Sequence, residues 1–138
     1  MHNREEMIDS MEKSFRKLFR SHRKQMADIL GKEVTASEFM FLQFLNEFGP
    51  SRVSDLADEF KVNLSHVTNV TDKLDSKKFI TRLRNRSDRR IVELQITYEG
   101  SAILERVGIK RSAYYKQRFK DLNDDEIQQM MSLFTKFR

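Results

Sequence analysis

The apolar spacing of this 138-residue chain predicts a mainly α fold of about six helices, interrupted by one β-hairpin of two or three strands. Three observations carry that prediction. Apolar residues recur at three- and four-residue steps at both ends of the chain. In the middle, two short helical stretches meet at a tight turn. Directly after them, Lys77 to Arg90 is strongly basic and alternates with a two-residue period.

The first thirty residues read as one helix. Met7, Met11, Phe15, Leu18, His22, Met26 and Ile29 form a thin apolar stripe on a charged rod, which needs another surface to cover it. Gly31 is placed to stop it. Thr35-Ala36-Ser37-Glu38 has the spacing of a capping box, in which a hydroxyl and a carboxylate three residues apart each bond the other's backbone N–H. The helix it opens is strongly apolar (Phe39, Leu42, Phe44, Leu45) and stops at Phe48-Gly49-Pro50. A third, short helix centres on Ser54 to Phe60. Lys61-Val62 makes the turn, and Asn63 is the N-cap of a fourth helix running from Leu64 to about Lys77. After the hairpin the helical period returns at Thr97, with Gly100, Ile103, Leu104, Val107, Arg111, Tyr114 and Tyr115 along one side. Asn123-Asp124-Asp125-Glu126 caps the last helix, whose stripe is Ile127, Met130, Met131, Phe134 and Phe137.

The hairpin concentrates the charge. Residues 77–90 hold seven basic side chains and one acid, a local net of +6 in a chain whose formal net charge is +5. Such a cluster selects a polyanionic partner, and DNA is the commonest. Ile80, Arg82, Arg84 and Arg86 share one parity; Phe79, Thr81 and Leu83 take the other. That is the pattern of a half-buried strand with one mostly cationic face. Val92, Leu94 and Ile96 alternate against Ile91, Glu93 and Gln95 in the second strand. Asn85-Arg86-Ser87-Asp88-Arg89-Arg90 joins the two as a basic tip rich in turn formers.

Composition narrows the function. No cysteine is present, which removes thiolate nucleophiles and disulfides and fits a reducing compartment. No apolar run approaches a membrane span, and the polar start Met1 to Glu6 has no signal-peptide core behind it. The expectation is a cytoplasmic protein. His2, His22 and His66 lie far apart and lack metal-ligand spacing, so no metal site or cofactor is expected. No phosphate-binding glycine loop or nucleophile elbow occurs, and no catalytic constellation is found, so the chain reads as a non-enzyme.

Helix, turn, helix and basic hairpin together make a winged helix-turn-helix, in which the second helix of the pair enters the major groove. Val67, Val70, Thr71 and Leu74 form the core face of that helix. Ser65, His66, Thr68, Asn69 and Lys73 lie outward and are the DNA-contact candidates; Asn69 has the geometry to pair with an adenine edge.

Several motifs carry a family likeness: Ser54-Asp55-Leu56-Ala57, Val67-Thr68, Asp72-Lys73-Leu74, Phe79-Ile80-Thr81-Arg82, and Asp88-Arg89-Arg90 leading to Ile96-Thr97-Tyr98-Glu99-Gly100. Over nearly its whole length the sequence resembles the MarR family of bacterial regulators. The resemblance implies a homodimer on a pseudo-palindromic operator of double-stranded DNA, probing minor grooves with its wings. By matched position Arg90 sits at the wing tip, Arg89 joins it, and Asp88 is structural, accepting from a neighbouring arginine. Arg82, Arg84 and Arg86 contact phosphates or hold the wing. The family usually has glycine where this chain has Lys78, and a left-handed cap there costs lysine about 1 kcal/mol.

The expected organisation is a dimerisation helix at 1–34, the winged region at 35–97, and two dimerisation helices at 98–138, in one structural domain. Many family members release DNA when a small molecule binds between the dimer helices and the winged region. Phe15, Phe19, Phe39, Phe41 and Phe44 are candidates for such a pocket, with plain core packing as the competing reading. The competing function is a winged-helix architectural or protein-interaction module without sequence preference.

Overall fold

The computed structural model describes residues 3–137; Met1, His2 and Arg138 lie outside them. The elements are α1 (Arg4–Leu30), α2 (Ala36–Phe48), α3 (Val53–Phe60), α4 (Leu64–Ser76), β1 (Ile80–Arg84), β2 (Val92–Ile96), α5 (Tyr98–Arg118) and α6 (Asp124–Phe134). Side-chain caps set most helix starts. Asn3, Thr35, Asn63, Thr97 and Asn123 each accept an N–H bond from the residue three positions on. At Thr35 and Asn123 a glutamate closes the capping box.

The core lies between α2, α3, α4, the root of the hairpin and the first half of α5. Phe41, Leu42, Leu45, Leu56, Val67, Leu74, Ile80, Leu94 and Val107 are its deepest apolar members. α1 contributes only Ile29 and Leu30 to its edge. From Asn3 to Arg20 every residue is exposed, and so is most of α6. Among the described residues no helix is long and apolar enough to cross a membrane.

The hairpin is antiparallel, with Ile80 opposite Ile96, Arg82 opposite Leu94 and Arg84 opposite Val92. Ser51 adds a third strand position, exchanging backbone bonds with Leu94 at 3.0 and 2.7 Å. The register fixes which parities share a face, and β1 departs from the half-buried alternation expected of it, since only Ile80 of the strand is buried. Directly opposed residues share a face, so the cationic parity of β1 lies on the same face as Val92, Leu94 and Ile96. Ile80 is buried at the root of that face, while Leu83, of the opposite parity, is 42 % exposed.

Both helices of the helix-turn-helix end on a left-handed lysine, Lys61 at φ 53° and Lys78 at φ 65°. After Lys78 the chain closes a Schellman turn: Phe79 N–H reaches Leu74 O at 3.0 Å and Lys78 N–H reaches Asp75 O at 2.9 Å. Lysine thus takes the conformation that glycine would adopt without strain.

Candidate nucleic-acid interface

The outward face of α4 is built by exclusion. Val67, Leu74 and Thr71 are fully buried and Val70 nearly so, which turns Ser65, His66, Thr68, Asn69 and Lys73 to the surface, all exposed. Thr71 satisfies its buried hydroxyl on Val67 O at 2.8 Å. Ser65 and His66 occupy the first turn, whose positive dipole end favours anions, although the His66 N–H is already taken by Asn63 Oδ1 at 2.7 Å. The His66 ring meets Phe41 edge-on at 6.2 Å between centroids.

Arg82 fixes the wing beside this helix. Its guanidinium spans two α4 carboxylates, reaching Asp72 at 2.7 Å and also pairing with Asp75. Arg82 is therefore a tether between wing and helix. Arg84 donates to the carbonyl of Arg89 at 2.8 Å and draws the tip back on itself. Arg86, Arg89 and Arg90 remain exposed.

The tip is shaped by two short acceptors. Asn85 Oδ1 receives the N–H groups of Ser87 and Asp88 at 2.8 and 3.1 Å, and its amide donates to Glu93 at 2.7 Å. Asp88 receives the Arg90 main-chain N–H at 3.0 Å and a two-point contact from the Arg90 side chain, Nε at 3.1 Å and Nη2 at 3.0 Å. Those side-chain bonds, then the main-chain bond, hold the Asp88 carboxyl below its ordinary pKa against the opposing effect of burial, and the charge of Arg52 adds a lesser lowering. The same pair raises Arg90. Arg90 nonetheless leaves 91 % of its side chain accessible, so a phosphate or groove edge can reach it while Asp88 orients it.

The five phenylalanines, the candidates for an effector pocket, fall into three settings. Phe39 and Phe41 are core. Phe44 is half-buried against Phe48 and Phe60, beside the acidic outer edge of α3. Phe15 and Phe19 pair with each other at 4.3 Å on the exposed part of α1. A separate open groove of about 400 Å³ lies between α1 and the start of α2, lined by His22, Met26, Leu30, Val34 and Thr35 among others. His22 is half-buried there, stacked on Tyr115 with Nε2 and the phenol oxygen 3.4 Å apart. Among the described residues no His, Cys, Asp and Glu cluster could hold a metal.

Two participants escaped the sequence reading. Glu38 is buried although it belongs to a surface-type capping box, and Lys77 pairs with it although it opens the basic run. Neither partner is signalled locally, since 39 residues separate them.

Residues 34–92 match the MarR family. Over 133 residues the chain is 38% identical to the uncharacterized HTH-type transcriptional regulator YpoP of Bacillus subtilis (strain 168), covering 96% of this chain and 94% of that protein. It is 28% identical over 137 residues to the HTH-type transcriptional repressor MdtR of the same organism, covering 99% and 88%. Among solved structures it resembles the YusO protein from Bacillus subtilis, with a TM-score of 0.76, 28% identity, and 98% and 96% of the two chains covered.

Proposed function

The chain belongs to the MarR family and is a DNA-binding transcription regulator; from that premise we propose that it is a repressor that binds a pseudo-palindromic operator as a homodimer. In this reading α4 enters the major groove and the wing, residues 84–91, follows the adjacent minor groove. The observation that carries it is the Arg82 tether, which sets the exposed polar face of α4 and the arginine-rich tip side by side. Ser65, His66, Thr68, Asn69 and Lys73 then supply base and phosphate contacts. Arg86, Arg89 and Arg90 supply the minor-groove charge, and narrow A·T-rich grooves attract such arginines. Repression is the activity named for the MdtR relative.

The homodimer is supported by what the single chain leaves uncovered. Met7, Met11 and Phe15 on α1, and Met131, Phe134 and Phe137 in and just beyond α6, are each more than half exposed. Contiguous apolar stripes of this kind mark association surfaces. The groove between α1 and α2 is where we place a small-molecule effector that releases the DNA.

Selection from random duplexes, followed by titration over a salt series, tests the reading. The expected outcome is one enriched, two-fold-related sequence, preferred over scrambled duplex by on the order of 10³ or more. A dimer neutralising roughly 6–10 phosphates gives a slope of log K against log[salt] near −5 to −9. A flat selection favours the architectural module, and a slope shallower than about −2 defeats the electrostatic argument.

A further inference from the structure

Lys77 stands in the basic run, yet its ammonium is committed inward. Nζ donates to Glu38 Oε1 at 2.9 Å and to the Glu33 carbonyl at 3.0 Å. Glu38 is only 1 % exposed, and no other charged side chain among the described residues is buried. Its Oε1 also takes the Thr35 N–H at 2.9 Å, while Oε2 is buried with no hydrogen-bond partner among the described residues. A carboxylate held out of water requires a cation, and Lys77 is that cation. Lys77 is also the C-cap of α4, where positive charge meets the negative end of the helix. Glu33 in turn is gripped by Arg106 of α5 at 2.6 Å. The end of α4, the start of α2 and the α1–α2 connection therefore meet at one ammonium, and α5 joins them through Glu33.

We infer that Lys77 is a positioning residue for the recognition helix. It sets the angle of α4 against α2 and the α1–α2 connection, and so governs operator discrimination without touching DNA. The inference rests on the reading that α4 occupies the major groove. Bidentate bonds to base edges are directional and fail when the helix tilts, whereas phosphate contacts tolerate the shift. The same geometry lets a disturbance of the α1–α2 connection reach the DNA-reading face.

The test uses the full chain, a duplex recovered by selection, and a scrambled duplex of equal length, across a salt series. Lys77→Met is expected to lower the selected-to-scrambled affinity ratio by about tenfold or more. It should leave the salt slope unchanged, with Lys77→Arg restoring most of the ratio. A phosphate ligand behaves differently: its loss makes the slope shallower by about one unit per protomer and leaves the ratio alone, and that result overturns the inference. So does an unchanged ratio. If the wild type itself fails to discriminate, the reading of α4 falls and this inference falls with it; if only Lys77→Met is silent, the inference alone falls. Should Lys77→Met be unfolded at the assay temperature, Arg106→Gln, on the exposed outer bridge, carries the test. There a reduced ratio at constant slope supports the inference and an unchanged ratio overturns it.

Discussion

Gly100→Ala tests the packing that seats α5 on the wing. A Cβ at Gly100 would lie 2.2 Å from the Phe79 carbonyl oxygen and 2.8 Å from Ile96 Cγ1. Ordinary carbon–oxygen approach is about 3.3 Å or more, so the first turn of α5 must retreat by about an ångström. The nearer obstacle, the Phe79 carbonyl, is main chain and cannot rotate aside. Overpacking of this kind costs about 1–3 kcal/mol. The retreat also strains two bonds that fasten the junction, Thr97 N–H to Phe79 O at 3.0 Å and Thr97 Oγ1 to Lys78 O at 2.7 Å, each worth about 1 kcal/mol net. Alanine's better helix propensity returns at most about 1 kcal/mol. The expected loss is about 3 kcal/mol, or a Tm lower by roughly 10 °C for a chain of this size. Urea and thermal denaturation followed by circular dichroism measure it, with an unchanged m-value showing that the native state stays compact. Gly108→Ala is the internal control: apart from its chain neighbours and the adjoining backbone of its own helix, no atom lies within 4 Å of its Cβ position, so this change is expected to stabilise by up to about 1 kcal/mol. A Gly100→Ala protein melting within about 2 °C of wild type would refute the close-approach argument.

Three other outcomes are expected. Lys78→Gly relieves the left-handed strain at φ 65° and should raise the urea midpoint by an amount equivalent to about 0.5–1 kcal/mol; a lower midpoint would contradict the strain assignment. Arg90→Ala should weaken operator binding roughly tenfold and relax preference in the A·T flanks, while Asn69→Ala relaxes one major-groove position per half-site; titration on operators varied base by base separates them, and an Arg90→Ala protein indistinguishable from wild type removes the wing from the interface. The Asp88–Arg90 contact depends on pH in a definite sense. Because the Asp88 pKa is depressed in the folded chain, the contact is complete above the ordinary aspartate range and is lost as pH falls through the lowered value. Carboxyl carbon-13 titration should place Asp88 below free aspartate, and Arg90→Ala should move it upward; a midpoint that does not move would show that Arg90 is not the cause.

Much of the fold was legible because its signals are local. A cap needs only residues three apart, so Thr35, Asn63 and Asn123 announced three helix starts, and the 3.6 period placed Val67, Val70, Thr71 and Leu74 inward. What stayed hidden depends on distant contacts. Arg82 reads as surface charge until β2 pairs with β1 and α4 presents Asp72 and Asp75. Glu38 reads as an exposed capping acid until Lys77 folds over it. Phe15 and Phe41 are the same residue type on helical stripes, yet one is exposed and one is core, since only tertiary cover distinguishes them. Lys78 shows the converse, a position whose backbone geometry outranks the preference of its side chain.

In the proposed homodimer, the length of α1 makes the protein its own concentration gauge. From Arg4 to Arg20 the helix extends about 25 Å with no residue buried by the rest of the chain. A helical arm of that length is marginal in water without a surface to lean on. Its ellipticity at 222 nm should therefore fall on dilution, before the winged core melts, and recover as molecules find one another. For the proposed dimeric repressor this ties shape to abundance: newly made copies at low number would carry frayed arms, and the DNA-competent form would accumulate more steeply than the polypeptide itself.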